Sequence, residues 1–201
     1  MRSLNVAAWM LGVGMSIDIG AAGAEPLPLP ATDYRAKAKA PQGVEMQVAH
    51  HGRRLRLDIS NANVPGLMTS LVNLDTSSML VMVNLPGMEG VAIEMALPSG
   101  HPFSSEARNG TRTGTDQVAG ETCDLWRIES KALKAPVDSC ITADGIVLRN
   151  ETTMEGKKVV LFEVTELERV PQDPGRFELP KGVRTTKLPP GMKSLLPSLG
   201  R

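Results

Sequence analysis

Few residues in this chain could do chemistry. Cysteine occurs only at Cys123 and Cys140, histidine only at His50, His51 and His101, and Trp126 is the one tryptophan beyond the first 24 residues. Two cysteines in an exported chain favour a disulfide. Closing a loop of this size would contribute about 3 kcal/mol in the chain-entropy view. The spacing is not C-x-x-C and no histidine lies near in sequence, which argues against a redox-active or metal-binding pair. Methionine is abundant: Met46, Met68, Met79, Met82, Met88, Met95, Met154 and Met192 lie beyond the leader. Such side chains make an adaptable apolar surface, either a lining for a lipid-like ligand or ordinary core. With the histidines they could also hold copper, since thioethers and imidazoles are soft ligands. No Met-x-Met or His-x-Met run gathers them, and "HHG" (50–52) falls where a hairpin turn belongs, so a solvated loop is expected there.

The usual parts of an enzyme are missing. There is no Gly-x-Ser-x-Gly, no His-Glu-x-x-His and no phosphate-cradling loop. His101 lies near Ser99, Ser104 and Ser105, yet nothing in "SGHPFSS" signals an activated nucleophile. The expectation is a protein without catalytic residues, cofactor or metal.

The first 24 residues read as a secretory leader. Arg2 supplies the positive charge and Val6–Met15 an apolar run too short to span a bilayer. Ala22 and Ala24 sit where a signal peptidase needs small residues, although Asp18 interrupts the pattern. Cleavage after Ala24 would deliver one domain, residues 25–201, to the periplasm. No cysteine near that point could take a lipid. Acidic and basic side chains balance at 22 each, so neither nucleic acid nor an anionic membrane finds electrostatic support. No later segment is apolar for the 18 or so residues a membrane span requires.

Beyond a proline-rich lead-in, "EPLPLPATD", the pattern has a period of two. Val44, Met46 and Val48 share one face. Leu55, Leu57 and Ile59 oppose Arg54, Arg56 and Asp58. Val91, Ile93, Met95 and Leu97 oppose Glu94. Such alternation means strands with one buried face. "TCDLWRIE", "PVDSCIT", "IVLRNETT" and "KKVVLFEVTELE" continue it, with tight turns at 143–145 and 155–156. The whole predicts ten to eleven strands in an antiparallel meander with little helix. If Cys123 faces Cys140, Trp126 faces Val137 and Leu125 faces Asp138. One face then carries Trp126, Ile128, Val137 and Ile141 with Asp124 beside them. The other carries the disulfide, Arg127 and Asp138, a staple on a polar surface.

Three features give the chain a resemblance. One is the run of short strands opening at "DYRAKAKA", with "GRRLRLDIS" third. Another is "GTDQVAGETCDLWRI" leading to "CITADGIVLRNE". The last is the closing "ERVPQDPGRFELPKGV". In this layout the chain resembles the periplasmic lipoprotein carriers LolA and LolB and their relatives. The resemblance implies a curved antiparallel sheet, an unclosed half-barrel, whose concave apolar face holds acyl chains or another hydrophobic ligand. The lining expected here is Met46, Leu57, Met79, Val81, Ile93, Met95 and Trp126. The expected function is non-catalytic binding of a lipid-like ligand or lipoprotein in the periplasm. The rival is an envelope interaction module with a packed core.

Overall fold

The computed structural model describes residues 23–62, 64–83, 90–97, 109–131 and 133–187. The expected leader, His101 with its serines, Met88, Met192 and the apolar tail lie outside the described residues. Thirteen strands form one unclosed sheet. They are β1 Glu25–Pro26, β2 Tyr34–Ala40, β3 Val44–His51, β4 Arg54–Asn61, β5 Val64–Asn73, β6 Ser78–Val83, β7 Val91–Ala96, β8 Asn109–Val118, β9 Glu121–Ile128, β10 Val137–Ile141, β11 Val147–Met154, β12 Lys157–Glu168 and β13 Arg184–Lys187. Eleven of these are the expected meander strands. The other two, β1 and β13, are too short for alternation to reveal and lie at the sheet's two edges.

The spatial order is β1-β8-β9-β10-β11-β12-β2-β3-β4-β5-β6-β7-β13. All neighbours are antiparallel except β13, which runs parallel to β7. β2 shows why these sequences form half-buried strands: Tyr34, Ala36 and Ala38 are buried, while Arg35 and Lys37 between them are exposed. The exposed cations meet glutamates of β12 as Arg35–Glu168 at 2.6 Å, Lys37–Glu166 at 2.8 Å and Lys39–Glu163 at 3.8 Å. Exposed pairs of this kind add little stability, but opposite charges placed directly across two strands favour one register.

A large core cluster gathers Tyr34, Ala36, Ala38, Leu55, Val72, Met79 and Val81 with Val118, Ile146, Leu148 and Val164. A smaller one joins Leu27, Trp126, Ile128, Ile141 and Val147, and Phe162 packs against both. We call the face carrying Tyr34, Ala36 and Ala38 inner.

Two segments strap the sheet. The lead-in, expected to be poorly packed, is ordered. Leu27 and Pro30 are buried, and Ala31 N–H donates to the Asp144 carbonyl at 3.0 Å. Its course explains two glycines. A Cβ at Gly110 would lie 2.9 Å from Leu27 Cδ2, and one at Gly145, whose φ is +83°, would lie 2.1 Å from the Leu29 carbonyl. The second strap follows β12. It is held where Gln172 N–H donates to Asp33 Oδ2 at 3.1 Å, where Phe177 meets the His51 ring at 5.9 Å, and where Arg56 Nη1 donates to the Arg176 carbonyl at 3.0 Å. Asp173 caps a short 3-10 turn, Pro174–Phe177, within it. The segment ends as β13 beside β7, where Arg184 N–H donates to the Gly90 carbonyl at 2.8 Å. Along this route the outward Ala49, Thr69, Leu71 and Ala92 are buried.

Candidate functional site

Strand pairing arranges the inner face in rows. Tyr34, His50, Leu55, Val72, Met79 and Met95 stand opposite one another across β2 to β7. The next row is Ala36, Val48, Leu57, Ser70, Val81 and Ile93, and the third begins Ala38, Met46, Ile59 and Met68. Exposure changes from row to row. Tyr34, His50, Leu55, Val72 and Met79 are 1–7% exposed. Leu57, Val48, Met46 and Met68 are only partly buried and pack against the large cluster, as does Met95 at the end of the first row.

Six of the seven expected lining residues, Met46, Leu57, Met79, Val81, Ile93 and Met95, therefore share this face. Met79 and Val81 are core, at 7% exposure each. Trp126 belongs to the smaller cluster at 6% exposure. Met68, outside the expected lining, shares this face and packs against the large cluster.

The disulfide joins Cys123 to Cys140 with a Cα–Cα distance of 5.4 Å. Its surroundings correct two expectations. Cys140 stands opposite Leu125 rather than Cys123, and Asp138 stands directly opposite Arg127, so the register is displaced by two residues and the bridge is diagonal. The cysteines are also no surface staple: they are 2% and 1% exposed and form part of the large cluster. Arg127 does hold Asp138, through bonds of 2.9 and 3.1 Å. Asp124, expected beside Trp126, is not a lone acid, because Arg112 pairs with it.

Around Trp126 the buried residues are partly polar. Trp126 stands opposite Ser139, Ser139 opposite Asn150, and Asn150 opposite Phe162. Ser139 Oγ donates to Asn150 Oδ1 at 2.6 Å. Trp126 Nε1 is buried without an acceptor among the described residues.

The adjacent histidines have opposite fates, and neither forms the expected solvated loop. His50 is 1% exposed, stacked on Tyr34 with ring centroids 5.4 Å apart, and its Nδ1 lies 2.7 Å from the Thr32 carbonyl oxygen. Its Nε2 is buried without a partner among the described residues. Burial pushes the His50 pKa down, against the Thr32 carbonyl, and pushes the Tyr34 hydroxyl well above its usual range. His51, on the outer face, donates from Nδ1 to Asp33 Oδ2 at 2.8 Å. Burial would raise the Asp33 carboxyl, but His51 and the Gln172 N–H together hold it below the ordinary value. The turn itself is only Gly52 and Arg53.

On the outer face a cleft of about 320 Å³ is lined by Arg35, Lys37, Gln47, Ala49, Asp58, Glu166, Glu168 and Arg176. Asp58 accepts from Arg56 Nε at 2.8 Å and from Thr69 Oγ1 at 2.7 Å, which hold its carboxyl below the ordinary value despite burial. Arg35 and Lys37 are committed to the glutamates of β12. Among the described residues no cluster of three His, Cys, Asp or Glu side chains is placed to hold a metal ion, and no helix is long and apolar enough to cross a membrane.

The sequence matches no family model and no curated protein. Several solved structures share its fold. An uncharacterized conserved protein from Thermus thermophilus superposes with a TM-score of 0.54 at 13% identity, covering 79% of this chain and 91% of that one. PNGF-II superposes with a TM-score of 0.56 at 11% identity over 82% of this chain, which spans about a third (32%) of PNGF-II. At such identities the likeness speaks to fold alone. The MucA/MucB complex of Pseudomonas aeruginosa matches at a TM-score of 0.39 and 13% identity over 80% of this chain and 62% of that one, too remote to bear on function. The chain is thus an unclosed, mainly antiparallel β half-barrel with one buried disulfide.

Proposed function

We propose that the protein is a non-catalytic periplasmic binding protein for a hydrophobic, lipid-like ligand, held on the inner face of the half-barrel. One observation carries the reading. Met46, Leu57 and Met68 pack on the large apolar cluster and remain partly exposed, whereas Tyr34, His50, Leu55, Val72 and Met79 of the first row are closed. Partly exposed thioethers on a rigid sheet suit a chain of variable shape, because methionine adapts its rotamers. The leader and the resemblance to lipoprotein carriers support export. Native mass spectrometry of protein purified from cell envelopes is expected to find co-purified lipid, and Met46→Glu with Met68→Glu is expected to lose it while keeping the β circular-dichroism spectrum. A second reading, an envelope interaction module with a packed core, is favoured by the burial of Met79, Val81 and Trp126. Protein that is always lipid-free, and that takes up no added lipid, would decide for it.

A further inference from the structure

We propose that the ligand of the inner face carries a carbonyl oxygen at the head of its hydrocarbon chain, as an acyl ester or amide does, and that Trp126 Nε1 donates to that oxygen. This rests on the lipid-binding reading and names the class of ligand within it. The indole nitrogen is a strong donor, it is buried, and it has no acceptor among the described residues. A buried donor left unmet is costly, and a carbonyl oxygen would satisfy it. The surroundings are those of an oxygen site. Ser139 and Asn150 stand next to Trp126 in the same row, and the Ser139–Asn150 bond uses the Asn150 oxygen, leaving its amide nitrogen as a further donor.

The row also leads to the apolar floor. Asn150 faces Phe162, which packs against both clusters. Two residues along, Val164 faces Ala38, and Ala38 faces Met46. Donors therefore stand at one end of the path and partly exposed methionines at the other, which is the polarity of an acyl chain with its carbonyl. Leu27 of the first strap belongs to the same cluster as Trp126. The strap is paired only at Glu25 and Pro26 at its start, and its far end is held by the Ala31–Asp144, Thr32–His50 and Asp33–His51 contacts, so room for the carbonyl comes from a shift of Leu27 between them.

The test compares a lysophosphatidylcholine bearing an ester-linked chain with the ether-linked analogue of the same chain and headgroup, titrated into the full chain by native mass spectrometry. The ester is expected to bind about tenfold more tightly, the scale of one satisfied buried donor. In Trp126→Phe both are expected to bind alike, near the ether's wild-type affinity. Equal binding of the two lipids by the wild-type protein overturns the carbonyl assignment and leaves lipid binding standing. Binding of neither overturns the lipid reading and this inference with it. The wild-type comparison needs no variant, so poor folding of Trp126→Phe does not shield the proposal.

Discussion

His50 makes the clearest demand at the scale of single residues. Its imidazole is closed in against Tyr34, and burial lowers its pKa from 6.5. The unfolded chain therefore takes up a proton near pH 6.5 that the folded chain refuses. Stability from this group is complete above that pH and is lost as pH falls through it toward the depressed folded value, by at most about 1.4 kcal/mol per pH unit. Urea midpoints measured between pH 7.5 and 5.5 should fall for the wild-type protein and stay nearly level for His50→Gln. Equal slopes would remove His50 from the account. Asp33, Asp58 and Asp144 belong to a different window. Their pKa values lie below 3.8, so their contribution holds above that pH and fades only as pH drops through the lowered values. The burial of His50 could not be read from "HHG", because the turn needs only Gly52 and Arg53, so both histidines belong to β3, where alternation sends His50 inward and His51 outward. The register at Trp126 was illegible for another reason. A slip of one residue exchanges the faces of a strand, but a slip of two keeps them. Arg127 and Asp138 therefore kept their shared face around the wrong partners, while the disulfide expected beside them on that face is diagonal and buried in the core.

Elements were legible where alternation had room to repeat. β2 alternates buried and exposed residues along its length, and a one-sided sheet records such burial as a period of two. The straps carry no such record. Each is a proline-containing segment tied down by single contacts, and each follows a route set by the sheet beneath it. Gly145→Ala tests the first strap. The new Cβ would lie 2.1 Å from backbone atoms of Leu29, and its left-handed φ of +83° adds strain of about 1–2 kcal/mol. The expected result is release of residues 25–31, seen as new protease cleavage there with the rest of the sheet intact. Phe177→Ala tests the second strap. Phe177 is 5% exposed, and its truncation should cost about 3 kcal/mol locally. Hydrogen exchange should quicken across 170–187 and in Val91–Glu94, the partners of β13. Unchanged exchange in β7 would show that β13 holds its place without Phe177.

At the scale of the whole molecule, the disulfide ties β9 to β10 inside the large core. Replacing both cysteines with serine should cost about 3 kcal/mol in urea unfolding. Exposures of 2% and 1% should make reduction of the native protein by dithiothreitol slow. The inward positions of Met46, Leu57, Met79 and Met95 were visible in the sequence as apolar alternation. Their division into closed and partly exposed positions was not, since each residue's exposure depends on which strands the sheet places across from it.

The order of the strands has a kinetic consequence. From β8 through β12 and then β2 through β7, every neighbour in space is also a neighbour in the chain, except where β12 meets β2. There the Arg35–Glu168 pair spans 133 residues of sequence. The fold is an up-and-down sheet cut and rejoined at another point, and that seam is the pairing of greatest sequence separation among the described strands. A circular permutant that begins at Asn109, links Glu168 to Tyr34 through a short loop and ends at Ala96 would make every pairing of the eleven long strands local. Loop closure over so many residues would no longer precede the seam, and stopped-flow refolding should be several times faster than for the natural chain.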